Sequence, residues 1–257
     1  YGAPQINDVI SLNVNENPYG PSEVTANSIA ELVRVAALEL NRYPDREAVA
    51  LRTELADYLG HGLSSSQVWA ANGSNEIMLQ LLQAFGGPGR TALPFAPTYS
   101  MYPEYARNTH TRWVQGQRRE DFTIDSQHAR ELIEAEQPDV VFLTSPNNPT
   151  GTALEPTLIT ELLSQTTGIV VVDEAYADFR RDSTPTALAL LAQQPRLIVT
   201  RTMSKAFALA GARIGYAAAH AAVIDALRIV RLPYHLSSVT QATGLAALKH
   251  RDELLAK

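Results

Sequence analysis

The sequence predicts an α/β fold in which a mostly parallel sheet is covered by helices on both faces. Two observations carry this reading. Short apolar runs at 91–95, 139–144, 168–173 and 196–200 alternate with helical patterns at 126–136, 154–163 and 186–193, and strands joined through helices pair in parallel. The runs are also near-continuous rather than alternating, as in the IVVV of 169–172, which suits strands buried on both faces.

Residues 11–21 form a Pro- and Asn-rich extended segment. Ser22 is a candidate N-cap for a first helix, in which Ile29, Leu32, Val33, Ala36 and Leu40 recur at helical spacing. A second helix fits 46–59. A third fits 75–85, where Ile77, Met78, Leu81, Leu82 and Phe85 make one apolar face and Gly86-Gly87-Pro88-Gly89 stops it. Beyond the alternating region, 212–218 reads as a further strand, and 221–231 and 239–249 as helices. No internal repeat or low-complexity linker is present. The expected division is an N-terminal arm and first helix over 1–40, a large domain over 41–232, and the start of a smaller α/β domain over 233–257, with a boundary near Leu232-Pro233. The chain begins at Tyr1 and stops at Lys257 inside a helix-like pattern, so a piece of a longer protein, cut at the C-terminus, is expected.

Composition narrows the function. The 257 residues carry 21 Lys and Arg against 27 Asp and Glu, a net charge of -6, which leaves no basic surface for nucleic acid or an anionic membrane. No apolar run approaches the roughly 18–20 residues that span a bilayer. The absence of cysteine excludes disulfides and thiolate metal sites and suits the cytoplasm. The six histidines show no ligand spacing, so no metal is expected, and no Gly-x-Gly-x-x-Gly follows the first strand.

Ligands of open parallel sheets bind outside the carboxyl ends of the strands, so the polar residues there form one candidate set. The run 169–172 leads into Asp173, with Tyr176 about one turn on. The strand before it leads into the rigid turn 145–151 with Asn148. The third leads into Thr202, Ser204 and Lys205, with Arg213 eight residues beyond the lysine. A lysine at such an edge beside a second cation has its ammonium disfavoured and becomes a better nucleophile. Ser74 and Asn75 open the third helix, whose free N–H groups and positive dipole end form an anion seat. Each feature alone has a plain structural reading: Asp173 serves equally well as a loop cap, the Asn-Pro turn as a turn, the lysine as a solvated side chain. Together they supply what pyridoxal 5'-phosphate requires: an amine, a carboxylate for the ring nitrogen, donors for the ring oxygen and a phosphate pocket.

The ordered motifs SPNNPTG, VVVDEAYADF and TRTMSKAFALAGARIGY resemble those of the fold-type I pyridoxal-phosphate aminotransferases. NVNENPYGP, NRYPDREAVALR, WAANGSNE, LQAFGGPGR, PTYSMYP and VRLPYHLSSVTQA extend the resemblance over nearly the whole chain and point to the histidinol-phosphate branch. The resemblance implies that Lys205 binds the cofactor aldehyde and later moves the substrate proton, that Asp173 pairs with the ring nitrogen, and that Asn148 and Tyr176 hold the ring oxygen. It further implies Tyr99 on the ring face, and Ser74, Asn75, Thr202, Ser204 and Arg213 around the phosphate. Tyr43 matches a tyrosine that reaches the neighbouring subunit's phosphate, implying a homodimer with shared sites. Asn17, Tyr19 and Tyr234 are the candidate substrate contacts, with loop packing an equal reading. The implied reaction is amino transfer between L-histidinol phosphate and 2-oxoglutarate in histidine biosynthesis. Aromatic amino-acid aminotransferase and threonine-phosphate decarboxylase are the alternatives within the fold, and a non-catalytic phosphate- or nucleotide-binding module is the alternative outside it.

Overall fold

The computed structural model describes residues 13–181 and 184–256. The start of the Pro- and Asn-rich segment, the chain start at Tyr1 and the chain end at Lys257 lie outside the described residues.

Helix α1 (Glu23–Ala37) is capped by Ser22, whose side chain accepts from Thr25 N, and it ends before Leu40. Helix α2 (Val49–Leu59) starts later than the periodicity suggests. The Asp45 carboxylate accepts from the backbone N–H of Glu47 and of Val49 and holds the preceding residues as a turn. Strand β1 (Val68–Asn72), which the sequence reading did not separate from the helix after it, runs into α3 (Ser74–Phe85). Then follow β2 (Thr91–Ala96), α4 (Tyr102–Asn108) and the two-residue strands β3 (Arg112–Trp113) and β4 (Gly116–Gln117). After them come α5 (Ser126–Glu136), β5 (Val140–Thr144), α6 (Pro156–Gln165), β6 (Ile169–Asp173) and β7 (Leu197–Thr202). The chain continues through β8 (Ile214–Ala219), α7 (Ala221–Val230), α8 (Ser238–Lys249) and α9 (Arg251–Leu255). The helix expected over 186–193 is only a 3-10 turn, Ala187–Leu190. Thr186 caps it and Glu174 takes the Ala187 N–H, so the segment serves a buried carboxylate instead of continuing as a helix.

The sheet order is β1-β8-β7-β6-β5-β2-β3, with β4 also on β2. β2, β5, β6 and β7 pair in parallel, and β8 lies antiparallel between β7 and β1. Alternation along each strand divides the interior in two. Val141, Leu143, Val170, Val172, Leu197 and Val199 face a core closed by α2, α5, α6 and α8. Val140, Phe142, Ile169, Val171 and Ile198 face one closed by α3, α4 and α7. Period two therefore carries Thr144, Asp173, Thr200 and Thr202 onto the α3/α4 face and sends Glu174 and Arg201 to the other. Among the described residues, no helix is long and apolar enough to cross a membrane.

Candidate active site

At the carboxyl ends of β5, β6 and β7 lies a cavity of about 450 Å³. Ser74, Asn75, Tyr99, Asn148, Asp173, Tyr176, Thr202, Ser204, Lys205 and Arg213 all line it, so the fold brings these ten sequence-selected residues to one place.

Asp173 forms the floor. It is 5% exposed, and its partners are neutral: Tyr102 Oη donates to Oδ2 at 2.7 Å, Ala175 N to Oδ1 at 3.0 Å and Thr200 Oγ1 to Oδ1 at 3.4 Å. No ion pair to it forms among the described residues. Burial pushes its carboxyl above the usual range, and the Tyr102 hydrogen bond pulls the other way. A buried carboxylate with neutral donors alone is suited to a cationic ligand atom.

The opposite end is an anion cradle. Gly73, at φ +82°, precedes α3, so the first N–H groups of that helix open into the site. A Cβ on Gly73 would lie 2.5 Å from Arg213 Nη2, which places the guanidinium directly against the helix start. Arg213 Nη1 donates to Ser204 Oγ at 3.2 Å, and Ser204 Oγ lies 3.0 Å from Thr202 Oγ1. On β8, Gly215 faces the same turn. A Cβ there would fall on Gly73 C and Ser74 N, so only glycine lets the helix start sit this close to the strand.

Between the two ends stands Lys205, whose Nζ donates to the carbonyls of Val14 at 2.7 Å and Asn15 at 3.2 Å and lies 5.9 Å from the Tyr176 ring centroid. Burial lowers its pKa; Arg213 adds to the effect and Glu16 opposes it. Tyr176 Oη accepts from Asn15 Nδ2 at 2.9 Å and from Asn148 Nδ2 at 3.4 Å. Charge and spacing thus match a flat ligand with a phosphate at one end and a protonatable nitrogen at the other, and pyridoxal phosphate fits them.

The remaining candidates lie elsewhere. Asn17 and Tyr19 border an open cleft beside Lys205, with Asn17 Oδ1 accepting from Tyr19 N at 3.0 Å. Tyr43 and Tyr234 stack on each other, 4.3 Å between centroids and 12° between planes. Neither borders the cavity, and Tyr43 is 78% exposed. Residues the sequence reading missed are Tyr102, Thr98, Thr144 and Thr200. The signal was present in part, because Thr144 and Thr200 are the register partners of Asp173 on its two neighbouring strands. Among the described residues, no group of three or more His, Cys, Asp or Glu side chains is placed to hold a metal ion.

Known proteins resemble the chain in sequence and in fold. The protein named histidinol-phosphate aminotransferase from Thermobifida fusca is 60% identical over 99% of this chain and 70% of its own length. Its namesake from Frankia casuarinae is 59% identical, over 99% of this chain and 66% of its own length. Among solved structures, histidinol-phosphate aminotransferase from Sinorhizobium meliloti in complex with pyridoxal-5'-phosphate superposes with a TM-score of 0.83 at 26% identity, over 94% of this chain and 64% of that one. This chain therefore spans about two thirds of the length of the proteins it matches. The family model for aminotransferase class I and II matches residues 7–256, and the chain belongs to that family.

Proposed function

We propose that the chain is the cofactor-binding part of a histidinol-phosphate aminotransferase, which exchanges an amino group between L-histidinol phosphate and 2-oxoglutarate in histidine biosynthesis. The observation that carries the reading is the buried, cation-free Asp173 facing the same cavity as Lys205 and the Gly73–Arg213 cradle. Relatives of that name at 54–60% identity support the substrate.

Pyridoxal phosphate, when bound, supplies an aldehyde that carries the amino group and a ring that accepts electrons. Lys205 is the residue placed to hold the aldehyde and to carry the substrate proton. Its lowered pKa keeps a larger fraction of the amine neutral, as a nucleophile and a base both require. Asp173 would hold a positive charge on the ring nitrogen, and Asn148 with Tyr176 would hold the ring oxygen. Tyr99 would cover the ring face. Ser74, Asn75, Thr202, Ser204 and Arg213 would hold the phosphate by backbone N–H, hydroxyl and guanidinium.

We place Asn17 and Tyr19 on the substrate side, since their cleft adjoins Lys205. We also assign a homodimer in which Tyr43, propped by Tyr234, reaches the partner's phosphate seat. The exposure of Tyr43 and of Tyr234, which stacks on it, supports this. A cytoplasmic setting goes with such a biosynthetic reaction. We divide the chain into a large domain over 41–232 and, over 233–257, the start of a smaller one, although α8 packs on α1 and α2.

The test is the visible absorption of the purified protein with pyridoxal phosphate, before and after histidinol phosphate is added without an acceptor. A cofactor band that is lost in Lys205→Ala, and that converts more with histidinol phosphate than with phenylalanine, is expected. Better conversion by phenylalanine moves the substrate to the aromatic amino acids; absence of any band in the wild type refutes the cofactor reading.

A further inference from the structure

Tyr102 is fully buried, yet its hydroxyl is the strongest neutral contact of the Asp173 carboxylate. Its ring is clamped, stacked on Phe142 at 4.9 Å and 9° and edge-on to Tyr99 at 5.6 Å and 84°. The same hydroxyl lies 3.0 Å from Thr144 Oγ1, which lies 3.0 Å from Thr98 Oγ1. Each hydroxyl has one proton to give. With an ionised Asp173 as terminal acceptor, Tyr102 must spend its proton on Oδ2, so Thr144 donates to Tyr102 and Thr98 to Thr144. Only this sense satisfies every link. A protonated Oδ2 that donated to Tyr102 would require all three hydroxyls to turn around.

We propose that Tyr102 is a positioning residue for Asp173: the hydroxyl chain Thr98–Thr144–Tyr102 holds the carboxylate in its ionised, accepting form and leaves one acceptor position of Asp173 for the cofactor's ring nitrogen. The proposal rests on the functional reading above. Asp173 spends three acceptor positions on Tyr102, Ala175 N and Thr200, and a carboxylate has about four. Hydrogen bonds in such a chain polarise one another, so the far members contribute through the near one. The chain also ties the floor of the site to its cover, because Thr98 immediately precedes Tyr99 and Tyr99 packs on Tyr102. Other charged or titratable groups around Asp173 are Glu174 beside it, Lys205, Arg213 and Tyr176 around the cavity, and Arg118. Arg118 donates to the Thr144 carbonyl at 3.5 Å from behind, and burial pushes its pKa down to about 10.

The experiment measures the dissociation constant of pyridoxal phosphate for wild type, Tyr102→Phe and Thr144→Val across pH 5–9, alongside the thermal midpoint without cofactor. Tyr102→Phe keeps the ring clamp and removes the donor. The expected result is about tenfold weaker binding at neutral pH, with the acid limb of the binding profile moved up by about one pH unit. Thr144→Val moves it the same way by less, and Thr144→Ser restores the wild-type profile. An unmoved acid limb overturns the proposal, whether binding is unchanged or uniformly weaker, since uniform loss is the mark of a packing role. If Tyr102→Phe does not fold, the Thr144 pair decides by the same criterion. A wild type that fails to bind pyridoxal phosphate refutes the functional reading instead.

Discussion

Asp173 and Glu174 are adjacent carboxylates at the end of one strand, both buried, at 5% and 3% exposure, and they have opposite surroundings. Glu174 points to the α2/α6/α8 face and is fully paired. Arg201 Nη2 meets it at 2.7 Å and Nε at 3.0 Å, Thr186 Oγ1 donates at 2.8 Å and Ala187 N at 2.7 Å. Burial disfavours the Arg201 guanidinium, but Glu174 and Asp178 more than offset it and its pKa is raised. Asp173 points to the α3/α4 face and finds hydroxyls and one N–H. One carboxylate is neutralised inside the protein and the other is held ready for a cation from outside, which separates a latch between strands from a ligand site.

Removing each carboxylate breaks the comparison in a different place. Glu174→Ala leaves Arg201 buried with, among the described residues, only Asp178, at 3.7 Å, for an acidic partner. A loss of about 3–5 kcal/mol in unfolding free energy is expected, read by denaturant titration, while the molecules still folded bind pyridoxal phosphate within about threefold of wild type. Equal losses of stability and affinity would show that the latch and the site are one unit.

Asp173→Asn is expected to do the reverse, lowering turnover by about 10²–10³ without lowering the thermal midpoint of the cofactor-free chain at pH 7. The sign follows from linkage. Burial raises the folded-state pKa of Asp173 above its unfolded value of about 3.8, so the folded chain binds that proton more tightly. Stability therefore falls as pH climbs from 3.8 through the folded pKa, and the full cost is present above it. Asparagine removes the cost, and the two midpoints converge in acid below 3.8. A variant that melts well below wild type at pH 7 would place Asp173 with Glu174 as a structural group.

The sequence made the sheet and the strand-end residues legible because buried parallel strands leave uninterrupted apolar runs that end at polar residues, as at Val172–Asp173 and Leu143–Thr144. It hid β1, whose apolar run VWAA ends at Asn72 but is half alanine, a weak strand former, and abuts the start of α3, and α4, a helix of seven residues in which Pro103 and aromatics mask the period. The pairing of Glu174 with Arg201 was also illegible: 27 residues separate them, and only the β6–β7 register places them together. Tyr102 lies in the PTYSMYP motif, but nothing local shows that its hydroxyl lands on a carboxylate 71 residues away. Tyr234, expected near a pocket wall, stacks on Tyr43, a pairing that nothing in the local sequence specifies.

Two glycines sharpen the same contrast with the smallest expected change. Gly215 faces α3, on the Asp173 side of the sheet, where an added Cβ would fall on the backbone of Gly73 and Ser74. Backbone cannot step aside without moving the helix start, so Gly215→Ala should shift the Ser74 and Asn75 N–H groups and weaken pyridoxal phosphate binding by about tenfold, or about 1.4 kcal/mol. Gly244 in α8 lies on the Glu174 side, and its added Cβ would meet the tips of Leu51, at 2.8 Å, and Ile214, at 3.3 Å. Those side chains can rotate, and alanine is the better helix former, so Gly244→Ala should change stability by no more than about 1 kcal/mol and leave cofactor binding alone. Dissociation constants for the two variants, measured beside their melting curves, distinguish a face built to hold a ligand from one built to hold the fold. Equal affinity in both would mean that the α3 start tolerates displacement and that Arg213 and the hydroxyls alone hold the phosphate.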